Sequence, residues 1–298
     1  MSADALAGLI AQTRNPSVIG LDPRPEYMPP GLITAPTLAA AASAFLKFNK
    51  AIIDATHDIV PAVKLQCACY EALGPPGARA LRGSILHARA KGMYVIADGK
   101  RGDIGSSAEL YSKAFLGKTE ILGERLEAYP AHALTVNPYL GSDNLDEFLK
   151  DCAEYGKMAF VLVKTSNKSS SEVQELPAGD RPLYRVIADQ VDRAGARLVG
   201  KCGYSSAGIV AGATQPRFIK ELRSLHPRLF FLVPGYGAQG GAAKGAAEAF
   251  DRKGGGAIVA SSREIICAWQ KLGTGDFAQA AREAALRMRN ELRMAVCI

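Results

Sequence analysis

The stretch MYVIADGKRGDIGSSA, residues 93–108, decides how the chain folds. It opens with an apolar run, MYVIAD (93–98), that ends on a carboxylate and passes into a charged, glycine-containing turn. A run with no polar alternation suits a strand covered on both faces, as in a parallel sheet packed between layers. Gly102 and Gly105 permit the unusual backbone angles of the turn that follows. Similar runs recur on both sides. SVIGLD (17–22) and IVPAVKLQ (59–66) precede it; ALTVN (133–137), AFVLVKT (159–165), AGIVAGAT (207–214), FFLVPG (230–235) and GAIVAS (256–261) follow. Helical patterns lie between them. Phe45, Phe48, Ile52 and Ile53 share one helical face, as do Leu81, Ile85 and Ala88, and a helix from Asp276 to about Met294 closes the chain. Eight strands alternating with helices predict an α/β fold of the (β/α)8 TIM-barrel type. It would be a single domain over residues 1–298, with an N-terminal lead-in and a C-terminal closing helix. A doubly wound open sheet is the alternative; eight runs in 298 residues, where a barrel typically needs about 250, favour the barrel.

Composition narrows the function. Apolar residues make up 48% of the chain, enough for a sizeable core. The net charge of +7 serves solubility or attracts an anionic small molecule. No dense Lys/Arg run with interleaved aromatics occurs, which argues against nucleic acid. The apolar stretch around Ala35–Leu46 is too short to cross a membrane, and the N-terminus lacks the basic and apolar regions of a signal peptide. A cytoplasmic location is expected. The six cysteines form no CxxC pair and read as reduced thiols, and the four histidines have no metal-ligand spacing. No metal site is expected.

Polar residues stand at the ends of the strands: Asp22, Lys64, Asp98, Asn137 and Thr165. Any one of them could be a solvated terminus. Five among eight strands point to a site, because a barrel builds its catalytic face from such ends. The strongest local pattern is D-x-K-x-x-D, formed by Asp98, Lys100 and Asp103. Asp98 and Lys100 are two apart and face the same side of an extended segment, while Asp103 falls in the turn. Lys64 on the neighbouring strand completes two acids and two bases. Taken alone, an ordinary loop salt bridge explains the pattern equally well. Further on, PGYGAQGG (234–241) contains a formal G-x-G-x-x-G at Gly235, Gly237 and Gly240. A dinucleotide fingerprint normally opens its βαβ unit, whereas these glycines follow six earlier strands. In a barrel, the loops after strands 7 and 8 commonly bind phosphate, and Arg263 lies just after the eighth.

The sequence resembles the orotidine 5′-phosphate decarboxylase family, especially its longer bacterial form, over roughly residues 16–270. The resemblance rests on blocks in the family's order, among them VIGLDPRPEYMPP, FNKAIIDATHDIVPAVKLQ, VIADGKRGDIGSSAELYSKAFLG, LTVNPYLGSD, FVLVKTSN, LVPGYGAQGG and IVASSREII. It implies a cofactor-free decarboxylation of orotidine 5′-phosphate to UMP and CO2. Lys64, Asp98, Lys100 and Asp103 would form the charged tetrad, with Lys100 delivering a proton to C6 and Asp98 beside the departing carboxylate. Asp103 would reach across a homodimer interface into the partner's site. Asp22 and Lys64 would bind ribose hydroxyls, with Ser107 nearby. Thr165 or Ser166 would meet the pyrimidine edge, Asn137 and Pro234 would line the base pocket, and Gln239 and Arg263 would grip the phosphate.

Four positions depart from the family's usual residues. Gly99 stands for alanine, Ser107 for threonine, Leu65 for proline and Lys164 for arginine. None removes a charge of the tetrad. Two alternatives remain: a magnesium-dependent sugar-phosphate decarboxylase or aldolase of the same barrel type, and a non-catalytic binder of pyrimidine nucleotides. The first would place an acid where this chain has Lys64, and the intact tetrad argues against the second.

Overall fold

In a computed structural model, described over residues 1–237 and 242–296, the eight apolar runs become the staves of one closed parallel barrel. They are β1 (Ser17–Leu21), β2 (Ala62–Gln66), β3 (Tyr94–Arg101), β4 (Ala133–Val136), β5 (Met158–Lys164), β6 (Ser205–Ala211), β7 (Leu229–Val233) and β8 (Ala257–Ser261). Each pairs with its neighbours in chain order, and β8 closes on β1 with Ser17 opposite Val259. Closure excludes the open sheet.

The strand boundaries shift for local reasons. The second run begins at Ile59, yet the strand starts at Ala62, because the Ile59 and Val60 N–H groups still donate to the Thr56 carbonyl of the preceding helix. In the other direction, β3 continues past Asp98 to Arg101.

Apolar alternation explains why the strands read as unbroken runs. Ile19, Val63, Val95, Leu134, Val161, Ile209, Phe231 and Val259 face outward into a core shared with the helices. Val18, Ala62, Tyr94, Ala133, Met158, Phe160, Phe230 and Ile258 face the barrel axis. Both sets are buried, so period two leaves no polar trace.

A helix, α1 (Ser2–Thr13), precedes β1 where the sequence suggested only a lead-in. Its Ala3 and Leu6 pack into the axial core, the Ser2 hydroxyl lies 2.6 Å from the Tyr94 hydroxyl, and the Ala3 N–H donates to Ser206 Oγ. Tyr94 is the first residue of β3 and Ser206 the second of β6, so α1 stoppers the N-terminal mouth of the barrel.

The outer layer includes α2 (Leu38–Thr56), α3 (Gly74–Ala90), α4 (Gly105–Phe115), α5 (Ser142–Tyr155), α6 (Leu183–Gly195), α7 (Pro216–Leu225) and α8 (Phe277–Val296). Thr37 caps α2 by accepting the Ala40 N–H, and Asp276 caps α8 by accepting the Gln279 N–H. Phe48 stacks on Phe277 at 4.8 Å and joins the first of these helices to the last. Among the described residues, no helix is long and apolar enough to cross a membrane.

Candidate active site

Towards the C-terminal ends of the strands the axial face turns from apolar to polar. Ala62 gives way to Lys64 on β2, Ile96 to Asp98 on β3, and Ala133 to Thr135 on β4. These side chains open into a cavity of about 710 Å³. Lys64 Nζ lies 2.7 Å from Asp98 Oδ2 and 3.6 Å from Asp22 Oδ1. Lys100 Nζ donates to Asp98 Oδ1 at 2.6 Å. Asp98 is therefore held between two ammonium groups.

Burial alone would push the Asp98 carboxyl up. The Lys64 and Lys100 ammoniums outweigh it and hold Asp98 well below the usual carboxylate range. Burial would likewise pull Lys64 down, and the Asp22 and Asp98 carboxylates raise it above an ordinary lysine instead. Lys64 and Asp98 therefore stay charged throughout the neutral range. The Thr135 hydroxyl adds a donor to Asp98 Oδ1 at 2.8 Å.

Asp103 does not join this array. Its Oδ1 accepts the Ile104 N–H, and its own N–H donates to Asn144 Oδ1. The chain has left β3 at Arg101, so Asp103 stands on the outer rim, half-buried. The two carboxylates that meet Lys64 within one chain are thus Asp22 and Asp98. Ser107 sits exposed in the first turn of α4 and does not line the cavity. Asn137 does not line it either. β4 ends at Val136, and Asn137 turns outward to accept the Tyr139 N–H on its side chain and an Asn144 amide on its carbonyl.

The opposite wall carries the remaining expected residues. Thr165, Ser166, Pro234 and Arg263 line the cavity. Gln239 lies outside the described residues. Arg263 opens a short helix, Arg263–Ile266, immediately after β8. Beside it the Ser261 and Ser262 hydroxyls are buried with no hydrogen-bond partner among the described residues, suited to an oxyanion. Gly20 makes room for them: a Cβ there would come within 2.7 Å of Ser262 Cβ.

The loop after β5 is tied down from beneath. Lys164, 1% exposed, donates to Ser170 Oγ and Glu175 Oε1, both at 2.9 Å, so the lysine in place of arginine keeps a buried cation there. Gln174 exchanges two hydrogen bonds with Thr165.

Thr135, Gln66, Gln174, Ser261 and Ser262 are cavity residues that sequence reasoning passed over. The period-two step from Ala133 to Thr135, and from Lys64 to Gln66, carried the signal for two of them. Among the described residues, no group of three or more His, Cys, Asp or Glu side chains is arranged to hold a metal ion.

Comparison with known proteins fits this geometry. The model of the orotidine 5′-phosphate decarboxylase / HUMPS family matches residues 18–275. An orotidine 5′-phosphate decarboxylase of Rhodopirellula baltica is 38% identical over 300 aligned positions, covering 98% of each chain. One from Caldicellulosiruptor bescii is 40% identical over 250, covering 84% of this chain and 82% of its own. The solved structure of Leishmania donovani OMP decarboxylase superposes with a TM-score of 0.74 at 31% identity, covering 99% of this chain and 98% of that one. With a charged array at the barrel's C-terminal face and relatives that match along nearly all of its length, the chain belongs to the orotidine 5′-phosphate decarboxylase / HUMPS family.

Proposed function

We propose that the chain is a carboxy-lyase that converts orotidine 5′-phosphate to UMP and CO2 in de novo pyrimidine biosynthesis, as a single barrel domain and without a cofactor. The observation that carries this is the Lys64–Asp98–Lys100 array, with Lys64 and Asp98 buried and a lysine, not an acid, on β2. A lysine at that position repels a divalent cation and argues against the magnesium-dependent alternative.

The chemistry follows from charge. When the bond from C6 to the carboxylate breaks, its electron pair stays on C6, where the ring offers no convenient sink. A preorganised ammonium stabilises that developing charge. Lys100 then gives its proton to C6 and is left as a neutral amine that recovers a proton from solvent. Asp98 holds Lys100 in place and lies beside the departing CO2, while Lys64 and Asp22 take the ribose hydroxyls. Thr165 and Ser166 face the pyrimidine edge, and Pro234 packs against the base. Arg263 and Gln239 hold the phosphate, whose binding energy helps to drive turnover as well as affinity.

Asp103 is assigned to a partner's site in a homodimer, and Ser107 to the neighbourhood of the ribose. In support, Ile104, Leu110, Tyr111, Tyr139 and Leu140 are exposed apolar residues on the segments that carry Asp103 and Asn137. The Asn144 side chain joins those two segments. The five described cysteines are free thiols, which supports a cytoplasmic location.

The test is loss of orotidylate absorbance with EDTA present, for the wild type and Lys100→Ala. The wild type should turn over without metal, and the variant should lose at least about 10³-fold, within the range of a lost general acid and electrostatic stabiliser. Equal rates would remove Lys100 as the proton donor, and activity that needs added magnesium would move the chain to the metal-dependent alternative.

A further inference from the structure

β3 and β4 pair regularly at Ala97–Leu134 and again at Arg101–Val136. Between those pairs Asp98, Gly99 and Lys100 face Thr135 alone, so β3 carries a bulge at the two central charges of the site. A bulge takes main-chain groups out of the ladder and re-aims the side chains it carries. Here the Lys100 N–H donates to Thr135 Oγ1 at 2.9 Å, in place of a strand carbonyl. Lys100 has φ +46°, in the left-handed region that an L side chain occupies only when its surroundings impose it. Gly99, lacking a Cβ, does nothing to restrict the bulge from within.

The same hydroxyl donates its proton to Asp98 Oδ1 at 2.8 Å, the oxygen that also receives Lys100 Nζ at 2.6 Å. One hydroxyl offers one donor and two acceptor lone pairs, so Thr135 can serve both groups at once. It is 1% exposed, which keeps water from substituting for it. Thr135 therefore links the backbone that aims Lys100 to the carboxylate that receives it.

We propose that Thr135 is the positioning residue of this site, locking the left-handed bulge so that the Lys100 ammonium is held against Asp98 before substrate arrives. The proposal rests on the decarboxylase reading for its effect on rate, and on geometry alone for its effect on Lys100.

The experiment compares Thr135→Val, which keeps the shape and removes the hydroxyl, with Thr135→Ser, which keeps the hydroxyl. For Thr135→Val, kcat for orotidine 5′-phosphate should fall about 10- to 100-fold, as expected for a lost hydrogen bond to a charged group. KM should stay within about threefold, and inhibition by ribose 5-phosphate should be unchanged, because the phosphate end is untouched. Thr135→Ser should recover kcat to within about threefold. A crystal structure of Thr135→Val should show Lys100 out of the left-handed region or its ammonium beyond hydrogen-bond distance of Asp98. Wild-type kcat in Thr135→Val, a loss that serine does not restore, or an undisturbed Lys100 in its crystal structure each overturns the proposal. If the valine variant does not fold, Thr135→Ala takes its place under the same readouts. A wild type with no decarboxylase activity would sink the reading of the function, and the crystal comparison would still decide the role of Thr135.

Discussion

A buried ionisable residue keeps its charge only where partners outweigh desolvation, and two residues of this chain fall on opposite sides of that balance. Asp98 has two ammonium groups within hydrogen-bond distance and stays ionised. His132 stacks on Tyr94 at 4.9 Å, and its Nδ1 accepts the Val95 N–H at 2.9 Å, a bond that needs an unprotonated nitrogen there. Burial, reinforced by Arg89 and Lys157, pushes its pKa down to about 4. The unfolded value is about 6.5. Between the two, the unfolded chain binds a proton that the folded chain refuses, so stability falls as pH drops from about 6.5 towards 4 and levels off below. Asp98 does not contribute to that window. Its folded pKa is depressed below an unfolded value of about 3.9, so its contribution is complete above that value and is lost as pH falls from there through the folded one. Urea unfolding of the wild type should therefore lose stability from pH 6.5 to 4.5, by no more than about 3 kcal/mol. His132→Gln should flatten that dependence whatever its absolute stability. A wild-type curve already flat across the window would show that the ring is not held neutral.

Among the elements, α1 makes the clearest case of structure without activity. Leu6 is fully buried in the axial core at the end of the barrel away from the cavity. Leu6→Ala should cost about 2–4 kcal/mol in urea unfolding while kcat/KM stays within about twofold at a temperature where the variant is folded. A tenfold loss of activity in a folded variant would mean that the stopper reaches the site. The sequence of α1, SADALAGLIAQT, also shows where reading failed: its buried residues include Ser2 and Ala3, small side chains that leave a weak apolar stripe. The barrel strands were legible for the opposite reason, since burial on both faces leaves continuous apolar runs. Their ends were less so, because the last turn of α2 holds Ile59 and Val60 by main-chain bonds that composition does not reveal. Within the site, Lys64 and Asp98 stand out as charges at the ends of apolar strands, and Lys100 through its D-x-K-x-x-D spacing. Thr135 did not, because a β-branched hydroxyl residue in a strand looks like strand propensity. Asn137 was misplaced because position at a strand end says nothing of the side to which the chain turns. Here it turns outward, towards Tyr139.

At the scale of the whole molecule, one member of the expected charged tetrad stands apart from the other three. Lys64, Asp98 and Lys100 converge, while Asp103 stands on the rim with its carboxylate on the Ile104 N–H. Its segment and the Asn137 segment tied to it by Asn144 carry exposed apolar side chains that water solvates poorly, including Leu110 at 63% exposure and Tyr139 at 81%. A two-fold dimer through this face would cover them and carry each Asp103 to the other chain's cavity, since an isologous contact pairs one surface patch with its copy. Complementation tests this directly. Lys100→Ala and Asp103→Ala should each be inactive alone. In a heterodimer of the two, one cavity carries both lesions, whereas the other combines an intact Lys100 with the intact Asp103 of its neighbour. Unfolding and refolding an equimolar mixture makes about half of the dimers mixed, each with one working site of two, so activity should return to about a quarter of wild type. If Asp103 served its own chain, every site in the mixture would carry one lesion and no activity would return. Recovery that grows with the time allowed for subunit exchange, and is absent when the variants are mixed without exchange, would tie the gain to shared sites and not to a trace of wild-type protein.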